Sequence, residues 1–147
     1  MKSIWNEDDR KSLVGRIGRL GAEMRPRWGK MGPAEVLVHL ADPMRNAMGE
    51  IPCAMKDTPF RRFPVKQLVV YLMPWPKGAP TAPEYLHPEA RDVEGARRAL
   101  REAMERFVVK GPEGAFGEHP AFGMLSGRAW GRLMWRHMDH HLRQYGL

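Results

Sequence analysis

Proline placement constrains this chain more than any other feature. Of its 13 prolines, all but Pro26, Pro33, Pro43, Pro112 and Pro120 fall between Glu50 and Glu89. A proline ring fixes one backbone dihedral and removes a hydrogen-bond donor, so this stretch can form neither a continuous helix nor a central strand. Regular structure must therefore come from the segments on either side, with the stretch between them as a long ordered excursion. Its one apolar island, Val65 to Tyr71, is expected to form a short strand or a helical turn. The run PWPKGAPTAPEY, Pro74 to Tyr85, is expected to be extended polyproline-type backbone draped over the rest.

The flanking segments carry helical periodicity. Leu13, Ile17 and Leu20 recur at spacings of four and three within Glu7 to Ala22, leaving Arg10, Lys11 and Arg16 elsewhere on the circumference. Gly32 and Pro33 open a second helix over Ala34 to Met48, ended by Gly49 and Pro52. Pro43 lies inside it, where its ring crowds the carbonyl of His39. Asp92 caps a third helix along which Val93, Ala96, Leu100, Ala103 and Phe107 recur, and Gly111 and Pro112 stop it. Ser126 caps the last, which ends near Tyr145 and Gly146. The expected fold class is all-α, a four-helix bundle over residues 1–147 as one domain, with the proline-rich segment inserted between helices two and three.

With 147 residues, 43% of them hydrophobic and 28% charged, the chain can bury a core without cross-links. The single cysteine, Cys53, has no internal partner, and no signal-peptide pattern opens the chain. A reducing cytoplasm is the expected location. The longest apolar run, Leu68 to Met73, is far shorter than the roughly 20 residues that span a bilayer. The net charge of +7 is dispersed over scattered arginines without a basic block, so nucleic acid is not an expected partner. Exposed apolar residues in the excursion leave room for a homodimer.

Chemistry concentrates in the last helix, in RHMDHHLRQYG. At about 100° per residue, Trp130, Met134, His137 and His141 share one face, with Arg132, Arg136, Asp139 and Arg143 opposite. Two imidazoles one turn apart on an inward face can converge on one cation, although core hydrogen bonding satisfies such a pair equally well. His140 points to the flank, toward a hydrogen bond or solvent. A third ligand has to come from another helix, and His39 is the remaining histidine within one. Periodicity places it at the margin of a stripe centred on Val36, Leu40, Met44 and Ala47, where a half-exposed histidine is an equally good reading. Glu35, one turn earlier, could orient the His39 imidazole, but solvation is the plainer role for it. Cys53 lacks a neighbouring base motif and reads as inert. Trp28, Trp75, Trp130 and Trp135 read as packing residues.

RWGKMGPAEVLVHLAD, PWPKGAPTAPEY and HPAFGMLSGRAWGRLMWRHMDHHLRQYG together resemble a bacterial family within the DinB-like superfamily of metalloenzymes. The resemblance spans Arg27 to Gly146. It implies an up-down-down-up bundle with a divalent ion, zinc or nickel, held at His39, His137 and His141. Relatives of this kind include thiol-dependent transferases that use low-molecular-weight bacterial thiols as small-molecule substrates. That activity is not fixed by the fold, and Pro43 and the long excursion depart from the superfamily pattern. Three neutral imidazoles would leave coordination positions open, as in a catalytic site. The expected function is a divalent-metal-dependent enzyme, a thiol transferase or a hydrolase. The alternatives are a noncatalytic small-ligand-binding protein and a purely structural bundle.

Overall fold

The computed structural model describes every residue from Met1 to Leu147. Five α-helices form without any β-strand: α1 (Glu7–Arg19), α2 (Pro33–Ala47), the one-turn α3 (Val65–Gln67), α4 (Val93–Lys110) and α5 (Gly127–Gln144). Local chemistry sets their starts. The side chains of Asn6, Asp92 and Ser126 accept from the backbone N–H groups of Asp9, Gly95 and Ala129, which the first turn leaves without helical partners. Pro33 occupies the first turn of α2, where its missing donor costs nothing. Pro43 does not end that helix, which continues to Ala47.

The four long helices enclose one core cluster, with Trp130, Phe107, Leu13, Leu37, Leu100 and Met134 almost fully buried. Contacts at the helix ends fix their directions. Ile4 N–H donates to the Gly131 carbonyl at 3.1 Å, and Arg16 pairs with Asp139 at 2.8 Å, so α1 and α5 run side by side in the same sense. Trp5 stacks on Phe107 at 5.2 Å between ring centroids while Arg97 reaches the Ile17 carbonyl, so α4 opposes α1. Arg106 meets Glu50 just beyond α2, which gives α2 the direction of α4. Consequently α2 and α5 are antiparallel, and the first half of one faces the last half of the other.

Between α2 and α4 the chain packs against the bundle. The apolar island is helical, α3 running into a wider π turn at Leu68–Leu72, and Val69 and Val70 join the core. Arg136 of α5 anchors this turn by donating to the carbonyls of Val69 and Met73. The PWPKGAPTAPEY run is extended only in part, because Pro83–Tyr85 closes a 3-10 turn against α2 that buries Tyr85. Helix α1 stops at Arg19, three residues short of the periodic expectation. Leu20 turns its backbone to an extended conformation and still buries its side chain, so its apolar spacing imitates one more helical turn. No helix is long and apolar enough to cross a membrane.

Candidate metal centre

The antiparallel pairing of α2 and α5 brings His39 to two histidines that follow it by 98 and 102 residues. His39 Nε2 lies 2.9 Å from His137 Nε2 and 3.1 Å from His141 Nε2. One nitrogen from each of the three falls within 4.8 Å of the others. His137 and His141 reach the site because they sit one turn apart on the inward face of α5, as the spacing predicts. His39 corrects the periodic reading. It is 3% exposed rather than marginal, because the Pro83–Tyr85 turn covers the flank of α2 that another helix would have left open.

The outer ring nitrogens decide what the inner ones can do. His39 Nδ1 is 3.0 Å from the Tyr85 carbonyl, which can only accept, so the proton of the neutral ring resides on Nδ1 and Nε2 carries a lone pair. His141 Nδ1 lies 2.6 Å from Gln144 Oε1, which places its proton in the same way. Two lone pairs therefore face each other at 3.1 Å between His39 and His141. That contact needs a donor or a cation to be favourable: His137 Nε2, 2.9 Å from His39 Nε2, can offer a single N–H, whereas one metal ion shared by the three rings satisfies every lone pair at once. A proton is poorly suited to the role near neutral pH, since burial pushes His39 down to about 4 and His141 down to about 3. Burial and the neighbouring imidazoles also hold His137 well below the usual histidine range. The three rings are thus kept neutral, with inward lone pairs on His39 and His141, the form in which imidazole binds a metal. Their spacing suits ligands at about 2.1 Å from a common ion. The buried triad could hold a metal ion.

A cavity of about 490 Å³ opens beside the triad, with Met31, Trp75, Leu86, Leu133 and Met134 as apolar walls. Glu35 borders this cavity but makes no hydrogen bond to His39, whose orientation comes from the Tyr85 carbonyl instead. A helix neighbour at i−4 was the legible candidate, whereas a backbone carbonyl 46 positions away leaves no sequence signal. Gln144 could have been found, because it sits three residues after His141 on the same helix. His140 lies on the flank as expected, partly exposed and without a hydrogen bond to the protein. Its ring packs edge-on to Trp28 and His141 and beside Trp75. Trp130 and Trp135 are buried packing residues as expected, while Trp28 and Trp75 line the cavity. Cys53 stays outside it, and burial together with the Glu84 charge pushes its thiol up, away from the reactive thiolate.

One polar residue of the cavity opens the HPAFG block but has no role assigned by it. His119 lies in the loop before α5 and is held neutral by burial, its pKa pushed down to about 3.

No curated protein and no solved structure matches the chain. A family does match, over residues 8–146, which covers the four long helices but for the first residue of α1 and includes each of the three converging histidines. By that match the chain belongs to the family described as Protein of unknown function (DUF1569).

Proposed function

We propose that the chain is a divalent-metal-dependent enzyme of the DinB-like kind, with His39, His137 and His141 as ligands to zinc or nickel. The adjoining cavity holds a small-molecule substrate, and the reaction is a thiol-dependent transfer or a hydrolysis. The observation that carries this reading is the pair of lone pairs on His39 and His141, turned toward each other at 3.1 Å by the hydrogen bonds on the far side of each ring. The directions of α1, α2, α4 and α5, one up, two down and one up, support the DinB-like arrangement.

A divalent ion at such a site lowers the pKa of a bound water or thiol, making hydroxide or thiolate available near neutral pH. The chain's own contribution is preorganisation. Tyr85 and Gln144 hold two imidazoles in the ligating tautomer and orientation, and such partners typically change metal affinity by about 10- to 100-fold. Burial keeps all three rings unprotonated at pH 7. Three protein ligands would be fewer than a closed structural zinc site uses, which would leave coordination for a ligand in the adjoining cavity.

The test is elemental analysis of protein purified without a histidine tag, followed by assays of thiol transfer to a panel of electrophiles. One zinc or nickel per chain with turnover is the expected result. Stoichiometric metal without turnover favours a noncatalytic ligand-binding protein, and a folded chain that takes up no divalent ion refutes the metal reading.

A further inference from the structure

His119 is fixed more elaborately than a packing residue requires. Its Nδ1 accepts from the backbone N–H groups of Ala121 and Phe122, at 3.1 and 3.3 Å. A ring nitrogen that accepts two N–H bonds has no proton, so the neutral ring carries its proton on Nε2. The loop that holds it is pinned on several sides. His119 and Gly123 exchange both backbone hydrogen bonds, at 2.9 and 2.8 Å, a closure that needs the positive φ of Gly123. Thr58 donates to the Ala121 carbonyl at 2.5 Å, and Arg61 pairs with Glu118 at 3.1 Å, which ties the loop to the long connection.

The ring lies beside Trp130, 5.2 Å between centroids, and borders the same cavity as the three histidines. Nε2 has no hydrogen-bond partner in the protein, whereas Nδ1 is fully engaged. His119 packs against Trp130, which precedes His137 by two turns of α5, about 10 Å along the helix axis at 1.5 Å per residue. The wall between them is apolar, Leu133 and Met134. A ligand that fills this space meets an electrophilic head site, an apolar middle and one neutral N–H donor.

We propose that His119 is a specificity-determining residue whose Nε2–H binds an acceptor oxygen, a carboxylate or carbonyl, at the far end of a ligand held at the three-histidine centre. This rests on the metal reading above and adds the substrate class: a molecule with a metal-binding head, an apolar stem and an oxygen-bearing tail.

The two nitrogens of His119 can be tested separately, because asparagine places an oxygen near the Nδ1 position and glutamine places an amide N–H near the Nε2 position. The probes are 6-mercaptohexanoate and hexanethiol, which share a thiol head and stem and differ in the tail. Binding is read from the thiolate-to-metal absorption band of cobalt(II)-loaded protein. Wild type should bind the mercapto acid about tenfold or more tightly than hexanethiol, the range for a hydrogen bond to a charged acceptor. His119→Asn, which keeps the cap on Ala121 and Phe122, should lose that preference while its hexanethiol affinity and cobalt spectrum stay as in wild type. His119→Gln should retain part of the preference despite losing the cap. A wild type without preference, or an Asn variant that keeps it, overturns the proposal and leaves the metal reading standing. Cobalt uptake with no band from either thiol overturns it also, and failure to bind cobalt removes the metal reading together with this one.

Discussion

Acidifying the metal-free protein from pH 7 to pH 5 should destabilise it steeply, because its central histidines are buried in the neutral form. His39 titrates near 6.5 when unfolded and is pushed down to about 4 by burial, and His141 is pushed down to about 3. Below pH 6.5 the unfolded chain takes up protons that the folded chain refuses, so stability is full above that value and falls as pH drops toward the folded values. At pH 5 the difference is 1.5 units, or about 2 kcal/mol for each histidine. His39 and His141 together cost about 4 kcal/mol, a large part of the 5–15 kcal/mol that holds a typical domain. His137 shifts in the same direction. Urea unfolding of chelator-treated protein at pH 7 and pH 5, followed by far-ultraviolet circular dichroism, measures the loss. His141→Gln should unfold with a loss smaller by about 2 kcal/mol over the same interval. A wild type that loses less than about 1 kcal/mol, or a variant with the full wild-type loss, refutes the claim that these rings are held neutral.

Calorimetric titration with zinc and nickel should show that His137→Ala and His141→Ala each lose more than about a hundredfold in affinity, since each removes a ligand. His140→Ala should stay within about tenfold, because that ring packs beside His141 without bringing a nitrogen into the shared centre. Gln144→Ala should weaken metal binding by about 10- to 100-fold in the same titration, with Gln144→Glu restoring most of it through an oxygen acceptor for His141 Nδ1. Away from the site, a Cβ at Gly131 would come within 2.0 Å of Trp5 Nε1, whose indole donates to the Gly127 carbonyl at 2.8 Å. Gly131→Ala should therefore destabilise the fold by about 1–3 kcal/mol in guanidinium unfolding, through displacement of Trp5 from its stack on Phe107.

Much of the helical framework is written locally. Asp92 and Ser126 mark the starts of α4 and α5 because a short polar side chain satisfies donors that a first turn leaves free, a bond made within four residues. The inward placement of His137 and His141 follows from helix geometry alone, since residues at i and i+4 share a face whatever lies across from them. Prolines, by removing donors, announced where helix could not run. Periodicity failed where a residue's neighbour was not a helix. Val65 to Tyr71 could be read as strand or helix, and the anchoring of the following π turn by Arg136 is a contact from another part of the chain.

The site was legible in its residue types and in the identity of its three histidines, but not in their depth or their hydrogen-bond partners. His137 and His141 were fixed by the sequence of α5, but the depth of His39 depended on the Pro83–Tyr85 turn folding over α2. The tautomers depended on a backbone carbonyl and a glutamine oxygen, and a carbonyl has no residue identity to read. His119 gave no signal because its role comes from a loop closing on its own Nδ1 and from a cavity formed by distant segments. Sequence by itself thus determined which groups can bind and which faces they share, through short-range geometry. Tertiary structure alone decided which of them meet, which are desolvated and which nitrogen carries the proton, because burial and hydrogen-bond partners are properties of the packed chain.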